Sequence, residues 1–144
     1  IVAADEDMGY LPGDMDQKME PWTRPMYDIF EQSMTHNQMD RCISIEPLGY
    51  MRGRTFHHTL IIADEMQNST PNQMKLLLTR IGEGTKIIVT GDLEQSDLEG
   101  DNGLENLVYK MQCTELDYIQ HVEMGDDDIV RHPAVKEVLG ILSK

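Results

Sequence analysis

Two adjacent carboxylates, Asp64 and Glu65, end a run of apolar residues in the stretch LIIADEMQNSTPNQ, residues 60–73. A second polar group, TGDLEQ at 90–95, follows another apolar run, KIIV. Carboxylates so placed can hold a divalent cation and take a proton from water, and a Gln nearby can orient that water or sense a phosphate. Gln67 and Asn68 extend the first group, while Asp92 and Gln95 carry the second. Neighbouring acids without compensation repel one another and lose solvation, a cost that a bound divalent metal would offset. The alternative is that Asp64 and Glu65 simply leave the sheet for solvent and cap a turn.

The two groups can meet only if the elements beneath them run in parallel. CISIEP (42–47), TLIIA (59–63), KIIVT (86–90) and LDYIQHV (116–122) read as strands from their β-branched and apolar content. TLIIA and KIIVT are apolar on both faces, as central strands of a parallel sheet would be. Between them, Thr70 suits a helix N-cap, Pro71 the first helical position and Gln73 the return partner of a capping box. Met74, Leu77, Leu78 and Ile81 then form a stripe at helical spacing, and Gly82 is the expected stop. This is a βαβ unit with an expected right-handed crossover, so both polar groups fall at the carboxyl edge of one sheet, where open parallel sheets bind ligands. Further helices are expected over Pro25–Met34, Gly103–Met111 and from Pro133, the last with Val135, Val138, Leu139 and Leu142 on one face. The expectation is one α/β domain over residues 1–144, with a mainly parallel sheet flanked by helices. Residues 1–40 are Met-rich and less regular, and the α/β core lies at 41–144.

The chain has 144 residues, 40% of them apolar, enough for one real core. It opens on Ile1 in material that reads as mid-domain, which predicts a fragment of a longer chain. No apolar run approaches the roughly 18 residues that span a bilayer, and no signal-peptide pattern precedes the first elements. Two cysteines, Cys42 and Cys113, lack ligand-like spacing and fit a reduced, cytoplasmic setting. The net charge of −14 argues against nonspecific nucleic-acid binding. Its distribution is uneven, because residues 41–86 carry six bases and four acids and are locally positive.

An apolar strand ending in Asp-Glu is the Walker B pattern of P-loop nucleotide hydrolases. The longer stretch DEMQNSTPNQMKLLLTRIGEGTKIIVTGDLEQSDL closely resembles the PhoH family of P-loop ATPases, whose core is similar to the first RecA-like domain of superfamily 1 helicases. GYLPGD, MEPWTRPMYD, EPLGYMRGRTF and DIVRHPAV extend the resemblance over nearly the whole chain. The resemblance implies a partial P-loop NTPase domain that hydrolyses ATP with Mg²⁺. Asp64 would hold the metal, Glu65 would activate water and Gln95 would sense the γ-phosphate. Gln67, Asp92, Arg52 and Arg54 become candidates for nucleotide contact. A homo-oligomeric ring acting in trans and single-stranded RNA remodelling are candidate extensions, and a non-catalytic nucleic-acid-binding or interaction domain of the same fold is the alternative. Met66 stands where the family usually has a small Ala and is expected to crowd the site slightly. Glu94 and Ser96 also depart from the usual neighbours of Gln95.

No G-x-x-x-x-G-K-[ST] occurs in the chain. Gly82-Glu83-Gly84-Thr85-Lys86 precedes a strand, whereas a phosphate loop follows one and opens a helix, so it reads as a helix cap and turn. In PhoH relatives the Walker A segment lies upstream of GYLPGD, and without it the chain is expected to bind ATP poorly or not at all. Arg131, before the last helix, is the preferred arginine finger or γ-phosphate sensor, with Arg24 a lesser one. Arg52 and Arg54 read equally as a surface loop turned by Gly53, and Arg80 as a cap favoured by the helix dipole. His57-His58 lack zinc-ligand spacing, and Asp126–Asp128 lack the rest of a calcium loop and read as a solvated turn. The eleven methionines read as adaptable core and surface filler.

Overall fold

The computed structural model describes residues 15–125, 128, 130 and 132–142. They fall into two compact units, the first ending at Cys113 and the second beginning at Thr114. The first unit has α1 (Met15–Phe30), α2 (His36–Cys42), β1 (Leu60–Ala63), α3 (Pro71–Leu78), β2 (Lys86–Val89) and α4 (Gly103–Gln112). The second holds α5 (Pro133–Leu142). Helices with a parallel sheet make this an α/β fold.

β1 and β2 pair in parallel, Leu60 opposite Lys86 through Ala63 opposite Val89. The pairing begins upstream of the strands. Phe56 bridges Ile81, the Phe56 N–H donates to Arg80 O at 2.9 Å and the Gly82 N–H to Phe56 O at 2.8 Å. A Cβ at Gly82 would sit 2.5 Å from that Phe56 oxygen, so only glycine lets the two chains approach. Gly82 therefore serves the sheet and not the helix end. α3 stops at Leu78, with Thr79 as its cap, before the expected stripe reaches Ile81.

The start of α3 matches its sequence. Thr70 is the N-cap, its Oγ1 accepting from the Gln73 N–H at 3.3 Å, and Gln73 Oε1 accepts from the Thr70 N–H at 2.8 Å. Pro71 takes the first helical position, where no N–H is needed. Met74 and Leu77 point inward and join Met51, Met66 and Leu104 in the core, against Ile61, Ala63, Ile87 and Val89 of the sheet. The other sheet face is different. Leu60, Ile62 and Ile88 are 57%, 52% and 48% exposed, so one face is covered among the described residues where two were expected.

Two expected strands do not form. CISIEP is extended after α2, yet no described chain pairs with it, and its Ser44 hydroxyl bonds locally to Glu46 at 3.1 Å. LDYIQHV likewise finds no ladder partner among the described residues, and Tyr118 is 99% exposed. Alternating apolar residues define a face, but a strand exists only when its backbone groups are paired. From Met15 onward the described residues before residue 41 are more regular than expected. α1 starts ten residues before Pro25 and ends at Phe30, short of Met34. Pro21 and Pro25 both fall within this helix, although neither has an N–H to donate to its ladder. Gly103 and Pro133 open α4 and α5 as expected.

Candidate functional site

The register sets the site. Because Ala63 lies opposite Val89, the next residues of both strands, Asp64 and Thr90, emerge side by side. The Thr90 hydroxyl donates to Asp64 Oδ1, which also accepts the Glu65 N–H at 3.0 Å. The Thr90 N–H bonds to Ala63 O at 2.9 Å and the Met66 N–H to Thr90 O at 3.0 Å, carrying the pairing past the strand ends. Glu65 then turns away with φ 56° and ψ 35°, a left-handed conformation uncommon outside glycine. The chain next makes a short 3-10 turn over Met66–Asn68.

That turn separates an apolar side from a polar one. Met66 is fully buried in the core, so it supports the site from beneath and does not crowd it. Gln67 is also buried, at 1% exposure, with its carboxamide between the two polar groups. Its Nε2 donates to Glu65 Oε2 at 2.7 Å, and its Oε1 accepts the Asp92 N–H at 3.2 Å. A Cβ on Gly91 would lie 2.7 Å from that Oε1, so the glycine of TGDLEQ makes room for the amide. Asp92 caps the 3-10 turn Leu93–Gln95, accepting from the Glu94 N–H at 3.0 Å and from Gln95 Nε2 at 2.6 Å. Asp64, Glu65, Gln67, Asp92 and Gln95 are thus brought together at one sheet edge.

The arginines are placed differently. Arg54 pairs with Glu46 at 2.9 Å, and its guanidinium lies 4.7 Å from the centre of the Phe56 ring. The hydrogen bond from Arg54 holds the Glu46 carboxyl below the usual carboxylate range, against the opposing effect of partial burial. Arg80 donates to Leu76 O and to Arg54 O, both at 3.0 Å, capping α3 and fastening the 52–55 loop. These bonds lie with Phe56 and Ile81 at the amino ends of the strands, opposite the edge that carries Asp64. Arg52 is exposed on the same loop, where Gly53 has φ 79°. Arg24 pairs with Asp28 along α1 at 3.0 Å. Arg131, Asp126, Asp127 and the GYLPGD segment lie outside the described residues. Asp128 closes a turn by accepting the Gly125 N–H at 2.8 Å.

Asn102 is a residue that the sequence reading missed. It is buried, and its Oδ1 caps α4 by accepting the Leu104 and Glu105 N–H groups at 2.9 and 3.1 Å. Its Nδ2 donates to Gln67 O at 2.8 Å and to Ser96 Oγ at 3.0 Å. Ser96 itself donates to Gln67 O at 3.0 Å. The departure at Ser96 therefore supplies a grip on the Met66–Asn68 turn. Asn102 followed three residues later by Glu105 is a capping signature that could have revealed it.

Among the described residues no three His, Cys, Asp or Glu side chains cluster as a metal cage. A single carboxylate still suits Mg²⁺, which is commonly bound through one or two carboxylates together with substrate phosphates and water. Asp64 fits that description. No helix of the described residues is long and apolar enough to cross a membrane.

Comparison with known proteins places this geometry in context. A family model described as PhoH-like protein matches residues 1–143. A PhoH-like protein of Bacillus subtilis (strain 168) is 42% identical over 99% of this chain and 46% of its own length. One from Synechocystis is 41% identical over 96% of this chain and 44% of its own, and the protein PhoH of Escherichia coli K12 is 38% identical over 96% and 41%. The chain spans less than half the length of each of these relatives.

Proposed function

The chain belongs to the PhoH-like family, and on that premise we propose that it supplies the metal- and water-handling half of an ATP hydrolysis site. The observation that carries the reading is the parallel register, which sets Asp64 and Glu65 beside the Gly91–Gln95 loop at the carboxyl edge of the sheet. That is where a triphosphate binds in open parallel folds.

In this reading Asp64 would hold Mg²⁺, which when bound would supply positive charge against the developing charge of the triphosphate. Glu65 is the general base. It is exposed, and Gln67 orients its carboxylate. As the water oxygen bonds to the γ-phosphorus, Glu65 takes the water proton and the bond to the β,γ-bridging oxygen breaks, giving ADP and phosphate. Gln95, tied to Asp92, senses the γ-phosphate or orients the water from the second strand. Arg131 acting in trans within a homo-oligomeric ring, and single-stranded RNA as the partner remodelled, belong to the same proposal. The locally basic window at 41–86 supports the RNA partner.

The test is ATP turnover by the full-length gene product with and without Glu65→Gln. Loss of a general base is expected to lower turnover about 10²- to 10⁴-fold. Undiminished turnover in the variant sinks the assignment. RNA involvement predicts salt-sensitive binding of single-stranded RNA, and its absence with and without ATP removes that part.

A further inference from the structure

The two polar groups at the sheet edge are joined through one buried side chain. Gln67 uses both ends of its carboxamide, Nε2 toward Glu65 at 2.7 Å and Oε1 toward the Asp92 N–H at 3.2 Å. A carboxamide is planar, so its donor and acceptor cannot be displaced independently. The main chain of Gln67 is fixed as well, since its carbonyl accepts from both Ser96 and Asn102. What freedom remains is in the side chain, and Gly91 leaves the space that it occupies. On the far side, the Asp92 carboxylate receives Gln95 Nε2 at 2.6 Å, so the position of Gln95 is tied to that of the Asp92 main chain. On the near side, Gln67 is the side chain that donates to the exposed Glu65 carboxylate among the described residues.

We propose that Gln67 is a positioning residue, a carboxamide relay that sets the Glu65 carboxylate according to the position of the Gly91–Gln95 loop. Its catalytic consequence rests on the ATPase reading above, whereas the coupling is a property of the folded chain. A loop drawn toward a γ-phosphate by Gln95 moves the Asp92 N–H, the relay follows, and Glu65 is oriented only while the loop is engaged. Gln67 itself need touch neither nucleotide nor metal.

The test starts from the full-length gene product, its Gln67→Met variant, which keeps the volume and removes both hydrogen bonds, and Gln67→Glu. Glu65→Ala is added to the parent and to Gln67→Met, and the Asp92 amide resonance is followed by NMR. The relay predicts that Glu65→Ala shifts that resonance in the parent and leaves it unmoved in Gln67→Met. In steady-state ATP hydrolysis, Gln67→Met is expected to lower kcat about 10- to 100-fold with KM within about twofold, the effect of losing a hydrogen bond to a charged group. Gln67→Glu keeps an acceptor for Asp92 but donates only while protonated. Its kcat should therefore fall with rising pH relative to the parent, a dependence that Gln67→Met lacks. If Gln67→Met does not fold, the pH profile of Gln67→Glu carries the decision, and a profile parallel to the parent overturns the relay. An Asp92 resonance that responds equally to Glu65→Ala in both backgrounds also overturns it. Intact amide coupling with turnover indifferent to Glu65→Gln supports the relay and removes the ATPase reading instead.

Discussion

Asn102→Ala should loosen the candidate site from a position that touches none of its carboxylates. Asn102 is buried and makes four hydrogen bonds, two capping α4 and two holding Gln67 O and Ser96 Oγ. Loss of an N-cap side chain costs about 1 kcal/mol. The donors from Nδ2 add about 1 to 2 kcal/mol, limited because Gln67 O keeps its bond from Ser96. The expected loss is about 2 to 3 kcal/mol, or roughly a 30- to 150-fold rise in opening of the α4 amino terminus. Amide hydrogen exchange at Leu104 and Glu105 reads this directly, residue by residue, without assuming that the whole chain unfolds at once. Asn102→Asp is the control, because its carboxylate still accepts both N–H groups while the donors to Gln67 and Ser96 are gone. By the same reckoning Leu104 and Glu105 should then exchange about 5- to 30-fold faster than in the parent, the part of the loss that the donors carry, and more slowly than in Asn102→Ala. If Asn102→Ala leaves both amides as protected as before, the cap is not what orders this end of α4, and the reasoning fails.

Two other outcomes check the fold on which the site rests. Leu77, at 1% exposure, should cost about 2 to 5 kcal/mol as Leu77→Ala in urea denaturation, whereas Ile88→Ala on the open sheet face should cost about 1 kcal/mol or less; equal losses would mean that both faces are covered in solution. Arg54 lowers the folded-state titration of Glu46, so this pair stabilises above the ordinary carboxylate value near 4.3 and the benefit is lost as pH falls through the lower folded value. The cost of Arg54→Met should therefore be larger at pH 7 than at low pH by about 0.2 to 1 kcal/mol, the contact with Phe56 being lost at both, a difference read from urea midpoints across the acid range.

The β1-α3-β2 unit was legible because every local signal agreed. Two apolar runs bracket a Thr-Pro-Asn-Gln start, and the polar groups follow each strand directly. α2 carries the same four-residue signature, Thr35 to Gln38, with the side-chain Gln38 Oε1 accepting the Thr35 N–H at 2.9 Å. It was missed because Met39 is the sole buried residue on that helix, so no apolar stripe followed the cap. CISIEP and LDYIQHV have the composition of strands, but pairing is a non-local property that composition does not carry. Arg54 is paired with Glu46 in the same non-local way. Its sequence neighbours gave no sign that Glu46 would claim it. The role of Gln67 was half visible: its type marked it as part of the polar edge, while its burial and its two-ended bonding depend on Gly91, a residue 24 positions away.

Adjacent carboxylates at a strand end posed an electrostatic problem that a metal would relieve. The structure supplies a different first remedy. Asp64 receives the Thr90 hydroxyl and the Glu65 N–H, while Glu65 swings away through its left-handed backbone and receives the Gln67 amide. Each acid thus has its own protein donor. The strand edge therefore seats both carboxylates as part of the fold, before any cation binds. Without a cluster of three ligands among the described residues, Mg²⁺ would depend on the nucleotide's phosphates for the rest of its shell. Metal and nucleotide would then enter together, at an edge whose two acids are already turned apart, Asp64 held by Thr90 and Glu65 by Gln67.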